Sequence, residues 1–480
     1  MLRLILIYLA IVFFMLGGTY AWAEEHPAPY ATHNLLSPKP ALHSNDIQGN
    51  PCEDTKLPKH ALNLFEVVNL ALCNNPQTRE AWASARVQVA QVGVNKAAYM
   101  PNLSLNAGLS RNWPANGTTY AQRNMGLSLS YLIYDFGARS ASLESAKQLF
   151  YASVYTQDSL VQAIFLAAVQ SYYQTQSSLA ALTAARESEA AARVNFESAQ
   201  ARYLAGSATP ADKYAAQTAY SQAALNSITA SGTHQIARGT LANVMGLDVL
   251  QSIELIPTDQ TPPSGDFQRN IAALIEKARE LRPDLRAAEA QVQAALANSE
   301  AARAAASPTI SLGMSSNFQG VMGNGLSNSS TLGINLTAPI FSGYAISYRI
   351  RAAEAQVEVK QAQLDKIRLQ VALDVWTAYQ HLTTATQALN ATADLMRSAT
   401  QSAQVALGRY KAGVGVMLDV LNAQSALANA RQQEIQTRLN WNISRATLAQ
   451  AMGNLDGNLL QTLAVTATQT VDYPAIKKVE

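Results

Sequence analysis

The spacing of apolar and polar positions changes several times along this 480-residue chain, and each change marks an element. Leu64 to Asn74 predicts a short helix that stops before Pro76, and a second helical pattern runs to Met100, where Pro101 ends it. Past Pro101 the period falls from near 3.6 to 2. Leu103, Leu105, Ala107 and Leu109 alternate with Ser104, Asn106, Gly108 and Ser110. After a loop beginning at Trp113-Pro114, Met125, Leu127, Leu129 and Tyr131 alternate with Gly126, Ser128 and Ser130. These runs predict two strands of about ten residues joined as a hairpin, each with an apolar face and a face of small polar residues. From about Ser140 to Tyr203 there is neither Pro nor Gly. At ~1.5 Å per residue a helix of that extent is on the order of 95 Å long. Gly206 breaks it, and Thr209-Pro210-Ala211-Asp212 restarts it with an N-cap, a proline at the first helical position and an acid two positions on. The returning arm runs to Met245-Gly246.

The whole pattern then recurs at a constant offset. Gly206 becomes Gly413 and Asp212 becomes Asp419, so 413 − 206 = 207 and 419 − 212 = 207. Asn75-Pro76 matches Arg282-Pro283, Pro101 matches Pro308, and Met245-Gly246 matches Met452-Gly453 at the same offset. A register held this long without slippage indicates a tandem duplication. In the second copy Leu364, Ile367, Val371, Val375, Ala378, Leu382, Ala385 and Leu389 step by three or four, as a coiled-coil seam does. A lone hairpin of such helices buries too little to persist, so partner helices are required. The expected organisation is a leader over 1–23, an irregular arm over 24–61 and a first repeat over 62–256 with β-hairpin 102–133 and helical hairpin 138–246. A linker over 257–268, a second repeat over 269–455 with β-hairpin 309–340 and helical hairpin 345–453, and a tail over 456–480 complete it.

Composition then narrows the setting. Charged residues make up only 14% of the chain, and the net charge of +2 points to no nucleic acid partner. Arg3, the apolar run Leu4 to Leu16 and Ala21-Trp22-Ala23 form a secretory signal pattern with cleavage expected after Ala23. Its apolar core is short for a ~20-residue membrane span. In an oxidising compartment the two cysteines, Cys52 and Cys73, are either one disulfide tying the arm to the first helix or two separate thiols. His26, His33, His43 and His60 fall in the arm at spacings that fit no compact metal motif. His234 and His381 stand alone, and neither a Ser/His/Asp or Cys/His grouping nor a phosphate-binding glycine loop is visible. An enzyme, a metal site and a cofactor are therefore not expected.

The strands are long enough to cross an outer membrane, where a tilted strand needs ~9–11 residues. Four strands cannot close a barrel, and open edges are not tolerated in lipid. Three chains would give twelve strands, with apolar side chains toward lipid and Ser, Asn and Gly toward the lumen. Tyr131, Tyr134, Phe341 and Tyr344 sit where a strand meets a helix, either as membrane-interface aromatics or as ordinary packing. The fold class expected is thus an α+β membrane protein in which several chains share a barrel and each chain also carries long coiled-coil helices.

Particular residues also resemble a known family. The turns Arg202-Tyr203…Gly206 and Arg409-Tyr410…Gly413, the run Leu418 to Gln424, Pro339-Ile340-Phe341 before a helix, Asn75-Pro76 and Met100-Pro101-Asn102-Leu103 resemble the TolC family over about residues 60–455. Leu72 to Thr78 is similar to its type I secretion branch. The resemblance implies a homotrimeric duct in the outer membrane of a Gram-negative bacterium, a twelve-stranded barrel continued by an α-helical tunnel across the periplasm. It implies that the turns, with Arg202, Tyr203, Gly206, Arg409, Gly413 and Gly415, face a periplasmic adaptor serving an inner-membrane ABC or proton-driven pump. The cargo would be secreted protein or small molecules, conducted passively and without a cofactor. Family gate carboxylates fall on Asp419 and Asn422, of which this chain keeps only the first as an acid. Three copies of Asp419 near an axis would form an anionic, cation-favouring ring; alternatively Asp419 only answers a helix macrodipole. Asp212, at the equivalent position, is accounted for as a cap with Thr209. Tyr410 matches a residue of the family's closed-state latch, whereas the latching arginine's position is Gly415. The competing expectation is a structural periplasmic coiled-coil spacer, which has no use for four alternating strands of membrane length.

Overall fold

A computed structural model describes Tyr30, Thr32–Leu35 and residues 60–453, apart from 116, 252, 257–270 and 322–324. The expected leader and tail, Cys52 and most of the arm and linker lie outside the described residues. The elements run α1 (Leu64–Asn74), α2 (Pro76–Ala97), β1 (Asn102–Asn112), β2 (Tyr120–Tyr134), α3 (Ala138–Leu204) and α4 (Pro210–Val244). They then repeat as α5 (Ile271–Leu281), α6 (Pro283–Ala304), β3 (Thr309–Val321), β4 (Ser327–Thr337), α7 (Ala345–Lys411) and α8 (Met417–Ala451). α3 and α7 are each 67 residues long and α4 and α8 each 35. No described helix is long and apolar enough to cross a membrane.

The chain divides into two compact units. One takes in Ala83–Ser153 and Ala290–Gln361 and holds the strands. Its sheet is four-stranded and antiparallel in the order β1-β2-β3-β4, so the two hairpins pair with each other through β2 and β3 while β1 and β4 are edges. Register keeps like with like. Leu103 faces Leu129 and Leu105 faces Leu127, while Ser104 faces Ser128 with their hydroxyls 2.6 Å apart. In the second hairpin Ile310 faces Leu336, Leu312 faces Ile334 and Met314 faces Leu332, before Ser316 and Ser330 interrupt the apolar row. The apolar face is uncovered: Leu332, Ile334 and Leu336 are 70%, 70% and 69% exposed.

Where β2 leaves the sheet, a bulge between Leu132 and Tyr134 is followed by Phe136 and Gly137 at positive φ. Arg139 secures this corner. Its Nε and amide donate to Asp135 Oδ2 at 3.0 and 2.9 Å, and its other nitrogens donate to the carbonyls of Leu132, Ile133 and Ala98. Tyr134 and Phe136 pack edge to face at 4.8 Å, as do Phe341 and Tyr344 at 5.6 Å. Sequence spacing had marked Tyr134, Phe341 and Tyr344 but not Phe136.

The other unit contains Val154–Glu289 together with the described residues 60–82 and 362–453. Here α1 starts with a reciprocal capping box, the Glu66 amide donating to Asn63 Oδ1 at 2.9 Å and the Asn63 amide to Glu66 Oε2 at 2.8 Å. Its apolar residues pack with Ile164, Phe165 and Tyr172 of α3 and Leu241 of α4. The second repeat does the same. The seam Val371, Val375, Ala378, Leu382, Ala385 and Leu389 of α7 is buried against Leu274 and Ala278 of α5 and Leu448 of α8. The paired Pro and Gly signals meet in space: a Cβ on Gly246 would lie 2.5 Å from the Asn74 carbonyl oxygen, and one on Gly453 3.0 Å from the Arg282 amide. Asn75 and Arg282, equivalent by offset, then diverge. Asn75 Nδ2 donates to the Val244 carbonyl at 3.1 Å. Arg282 is buried and donates to Asp284 and Asp374 at 2.6 and 2.8 Å. Cys73 is not a free thiol. The expected pairing with Cys52 lies outside the described residues.

Candidate functional site

The glycine breaks of both long helices lie in the second unit, and both are built as Schellman turns. At the first, the Gly206 amide donates to the Tyr203 carbonyl at 3.0 Å and the Ser207 amide to that of Arg202 at 2.9 Å. At the second, Gly413 donates to Tyr410 at 3.1 Å and Val414 to Arg409 at 3.0 Å. Gly206 and Gly413 have φ of +71° and +77°, left-handed conformations that glycine adopts without Cβ strain.

The helices restart differently. Ahead of α4, the Thr209 amide and hydroxyl donate to Asp212 Oδ2 at 3.1 and 2.7 Å, and the Asp212 amide donates back to Thr209 Oγ1 at 3.2 Å. Ahead of α8 the cap residue is Val416, which makes no side-chain cap bond. Asp419, at the position of Asp212, is exposed and its carboxylate has no hydrogen bond or ion pair among the described residues. Asn422, one turn further along α8, is also exposed.

The second tip compensates with packing. Tyr410, Met417 and Val420 are buried with Ala199 of α3 and Ala216 of α4, so residues from all four long-hairpin helices close on one apolar cluster. The positions equivalent to Tyr410 and Val420 are Tyr203 and Lys213, and there the lysine ammonium instead lies 5.2 Å from the tyrosine ring centre. Arg202 joins the tips: its guanidinium carbon stands 4.3 Å from the centroid of the Tyr410 ring. Arg409, its counterpart, is exposed. Gly415 is held by close approach, since a Cβ there would come 3.1 Å from the Tyr410 amide nitrogen. Any side chain there requires the chain at 409–410 to give by a few tenths of an ångström, an adjustment glycine does not need. Further along the hairpins, Asn195 donates to Gln424 at 2.6 Å and Arg431 pairs with Glu187 at 3.0 Å, both between α3 and α8. Sequence spacing missed these two links. The signal for the uncapped tip was present in the pair Thr209 and Val416.

The histidines carry one correction. His234 is not isolated, because its Nδ1 lies 3.0 Å from Ser178 Oγ. No described carboxylate hydrogen-bonds or ion-pairs with that imidazole. Among the described residues no group of His, Cys, Asp and Glu is arranged to hold a metal ion.

An exposed apolar sheet of four strands and two duplicated helical hairpins define an outer-membrane channel subunit. The chain belongs to the outer membrane efflux protein family, whose model matches residues 67–247 and 274–454, one match per repeat. It is 32% identical to protein CyaE of Bordetella pertussis over 403 residues, covering 82% of this chain and 84% of that protein. It is 22% identical to the outer membrane protein TolC of Escherichia coli, covering 82% and 83%. Among solved structures, the outer membrane channel CmeC of Campylobacter jejuni superposes with a TM-score of 0.73 at 19% identity, covering 84% of this chain and 89% of that one, a likeness of fold. The protein is thus an outer-membrane exit duct component of TolC type with a long periplasmic helical portion, in a family of channels rather than enzymes.

Proposed function

We propose that three copies of this chain assemble into a duct that passively conducts cargo from an inner-membrane pump, through a periplasmic adaptor, to the cell exterior. The observation that carries this reading is the sheet: β1 and β4 are unpaired edges of a surface whose apolar side is uncovered. Lipid does not accept unpaired backbone groups, so the edges are satisfied by neighbouring copies, and three copies give twelve strands. The type I secretion assignment rests on the likeness to CyaE.

In the assembled duct the tips meet the adaptor. Arg202, Tyr203, Gly206, Arg409, Gly413 and Gly415 shape that surface, and exposed Leu204, Val414 and Leu418 supply apolar contact area. Asp419 supplies the anionic ring of the entrance, with Asn422 beside it as a neutral donor and acceptor. Tyr410 latches the entrance from within one chain, through Arg202 in place of an arginine at 415. Asp212 belongs to the cap and not to the ring. The spacer alternative leaves the apolar face of the sheet without an occupant.

The test is the native mass of the mature protein extracted from outer membranes, with its migration on a gel before and after heating. A heat-dissociable species of three chains in the outer-membrane fraction is expected. A soluble monomer would overturn the reading.

A further inference from the structure

The strands carry almost no charge, and what they carry stands in one place. Strands β1 to β4 contain neither Asp nor Glu, and Arg111 of β1 and Arg123 of β2 are their only charged residues. The connecting stretches 113–119 and 322–326 add no acid. Register puts both arginines on the apolar face of the sheet. Leu109 pairs with Arg123 and Arg111 with Ala121, so the two are diagonal neighbours, ~7–8 Å apart at Cα. Both are exposed, and neither has a hydrogen bond or an ion pair among the described residues. The Arg111 guanidinium carbon lies 5.8 Å from the centroid of the Trp113 ring, and that residue is 71% exposed. The positions at the 207-residue offset are Phe318 and Ser330, so the second hairpin does not repeat the pair.

Their place along the strands decides what they meet. α2 leads into the start of β1 and α3 leaves the end of β2, so Arg111 and Arg123 lie at the strand ends away from the helices. With the helices in the periplasm, those ends form the outer rim of the sheet. Beside and below the arginines the same face is apolar, with Leu109 and then the row of Ala107, Met125 and Phe318. A lipid-facing arginine is costly at the bilayer midplane and tolerated near the interface, where tryptophan also belongs. Tolerance accounts for the position but supplies no counter-charge. The edge strand of another copy would supply none either, since β4 carries no acid. The anion that faces these two guanidinium groups therefore comes from the membrane.

We propose that Arg111 and Arg123, with Trp113 beside them, bind the phosphorylated headgroup of an outer-leaflet glycolipid, one site per chain, an assignment that rests on the sheet crossing the outer membrane. The acyl chains lie along Leu109, Met125 and Phe318. Each guanidinium presents a fork of donors that matches phosphate oxygens two at a time, and such charge-assisted bonds are stronger than neutral ones.

The probe is diphosphorylated lipid A, titrated into the full-length assembled protein in neutral detergent and counted by native mass spectrometry. Dephosphorylated lipid A and inorganic phosphate are the comparison ligands. Saturable retention of one diphosphorylated lipid per chain is expected, with the dephosphorylated form at least about tenfold weaker and inorganic phosphate unable to displace the lipid. Arg111→Gln and Arg123→Gln should each weaken retention about tenfold, the scale of a lost charge-assisted hydrogen bond. Arg397→Gln, which removes an exposed pair with Asp394 on α7, should change nothing. Equal binding of the dephosphorylated lipid, displacement by inorganic phosphate, or full retention in both glutamine variants would each overturn the proposal. Should the variants fail to assemble, the two lipids compared on the unsubstituted protein decide the matter alone. The same spectra report the assembly itself. A three-chain species that retains no lipid overturns the lipid site and leaves the duct standing, whereas a soluble monomer overturns both.

Discussion

The two helical tips share a backbone and differ in what secures it. Both end a 67-residue helix just before a glycine at positive φ and start a 35-residue helix six residues after the first one ends. The first is held by local polar chemistry: Thr209 caps, Asp212 answers it, and Lys213 covers Tyr203. The second is held by burial: Val416 caps nothing, while Met417, Val420 and Tyr410 fill an apolar cluster. Duplication conserved the turn and freed one acid. Asp212 is engaged in holding the fold, and Asp419 is available for function.

The largest separation between the tips should come from Met417→Ala. Truncating a buried side chain costs ~2–5 kcal/mol, and Met417 is 1% exposed. Its equivalent, Pro210, is exposed, and Pro210→Ala should change stability far less. Thermal unfolding midpoints of the assembled variants check this. A comparable loss in both would remove the distinction between packed and capped tips.

Gly206→Ala and Gly413→Ala should behave alike, because in each a Cβ meets nothing within 4 Å and only the left-handed backbone is penalised. A cost of ~1–2 kcal/mol apiece is expected. Rates of limited proteolysis at the turns report it, and a much larger loss at one tip would reveal a contact specific to that tip.

Thr209→Val should weaken the first turn of α4 by ~1 kcal/mol, the usual value of an N-cap side chain. Val416→Thr should do the opposite for α8 and draw Asp419 into a capping box. Hydrogen exchange of the first-turn amides should accelerate roughly fivefold in the former and slow in the latter. No change in either would detach the fate of the aspartates from the cap.

Much of this is legible in the sequence. Alternation at Leu103 to Leu109 and Met125 to Tyr131 has period 2 because successive strand residues face opposite sides, and the 207-residue offset is preserved in the residues that break helices. What local pattern could not carry was the partner of each tip residue. Arg202 and Tyr410 are 208 positions apart, on different repeats, so their contact depends on how α3 and α7 pack. The tightness at Gly415 likewise depends on backbone placement, which spacing alone does not report. Asp212 and Asp419 looked equivalent because the same residue stands at the same helical position. Their separation rests on Thr209 against Val416, a difference visible in the sequence whose consequence appears only with the hydrogen bonds.

The smallest effect should be Arg202→Ala. A cation–π contact made by a partly exposed arginine contributes ~0.5–1 kcal/mol, and Arg409→Ala should be silent by comparison. If Tyr410 latches the entrance, Arg202→Ala should raise the closed-state conductance modestly while Arg409→Ala leaves it unchanged. Equal conductance in the two variants would count against the latch.

The most direct test of the freed acid is single-channel cation selectivity in planar bilayers for Asp419→Ala and Asp212→Ala side by side. Loss of cation preference in Asp419→Ala, with preference retained in Asp212→Ala, is the predicted result. Retained preference in Asp419→Ala, or its loss in Asp212→Ala alone, would contradict the division of roles between the two tips.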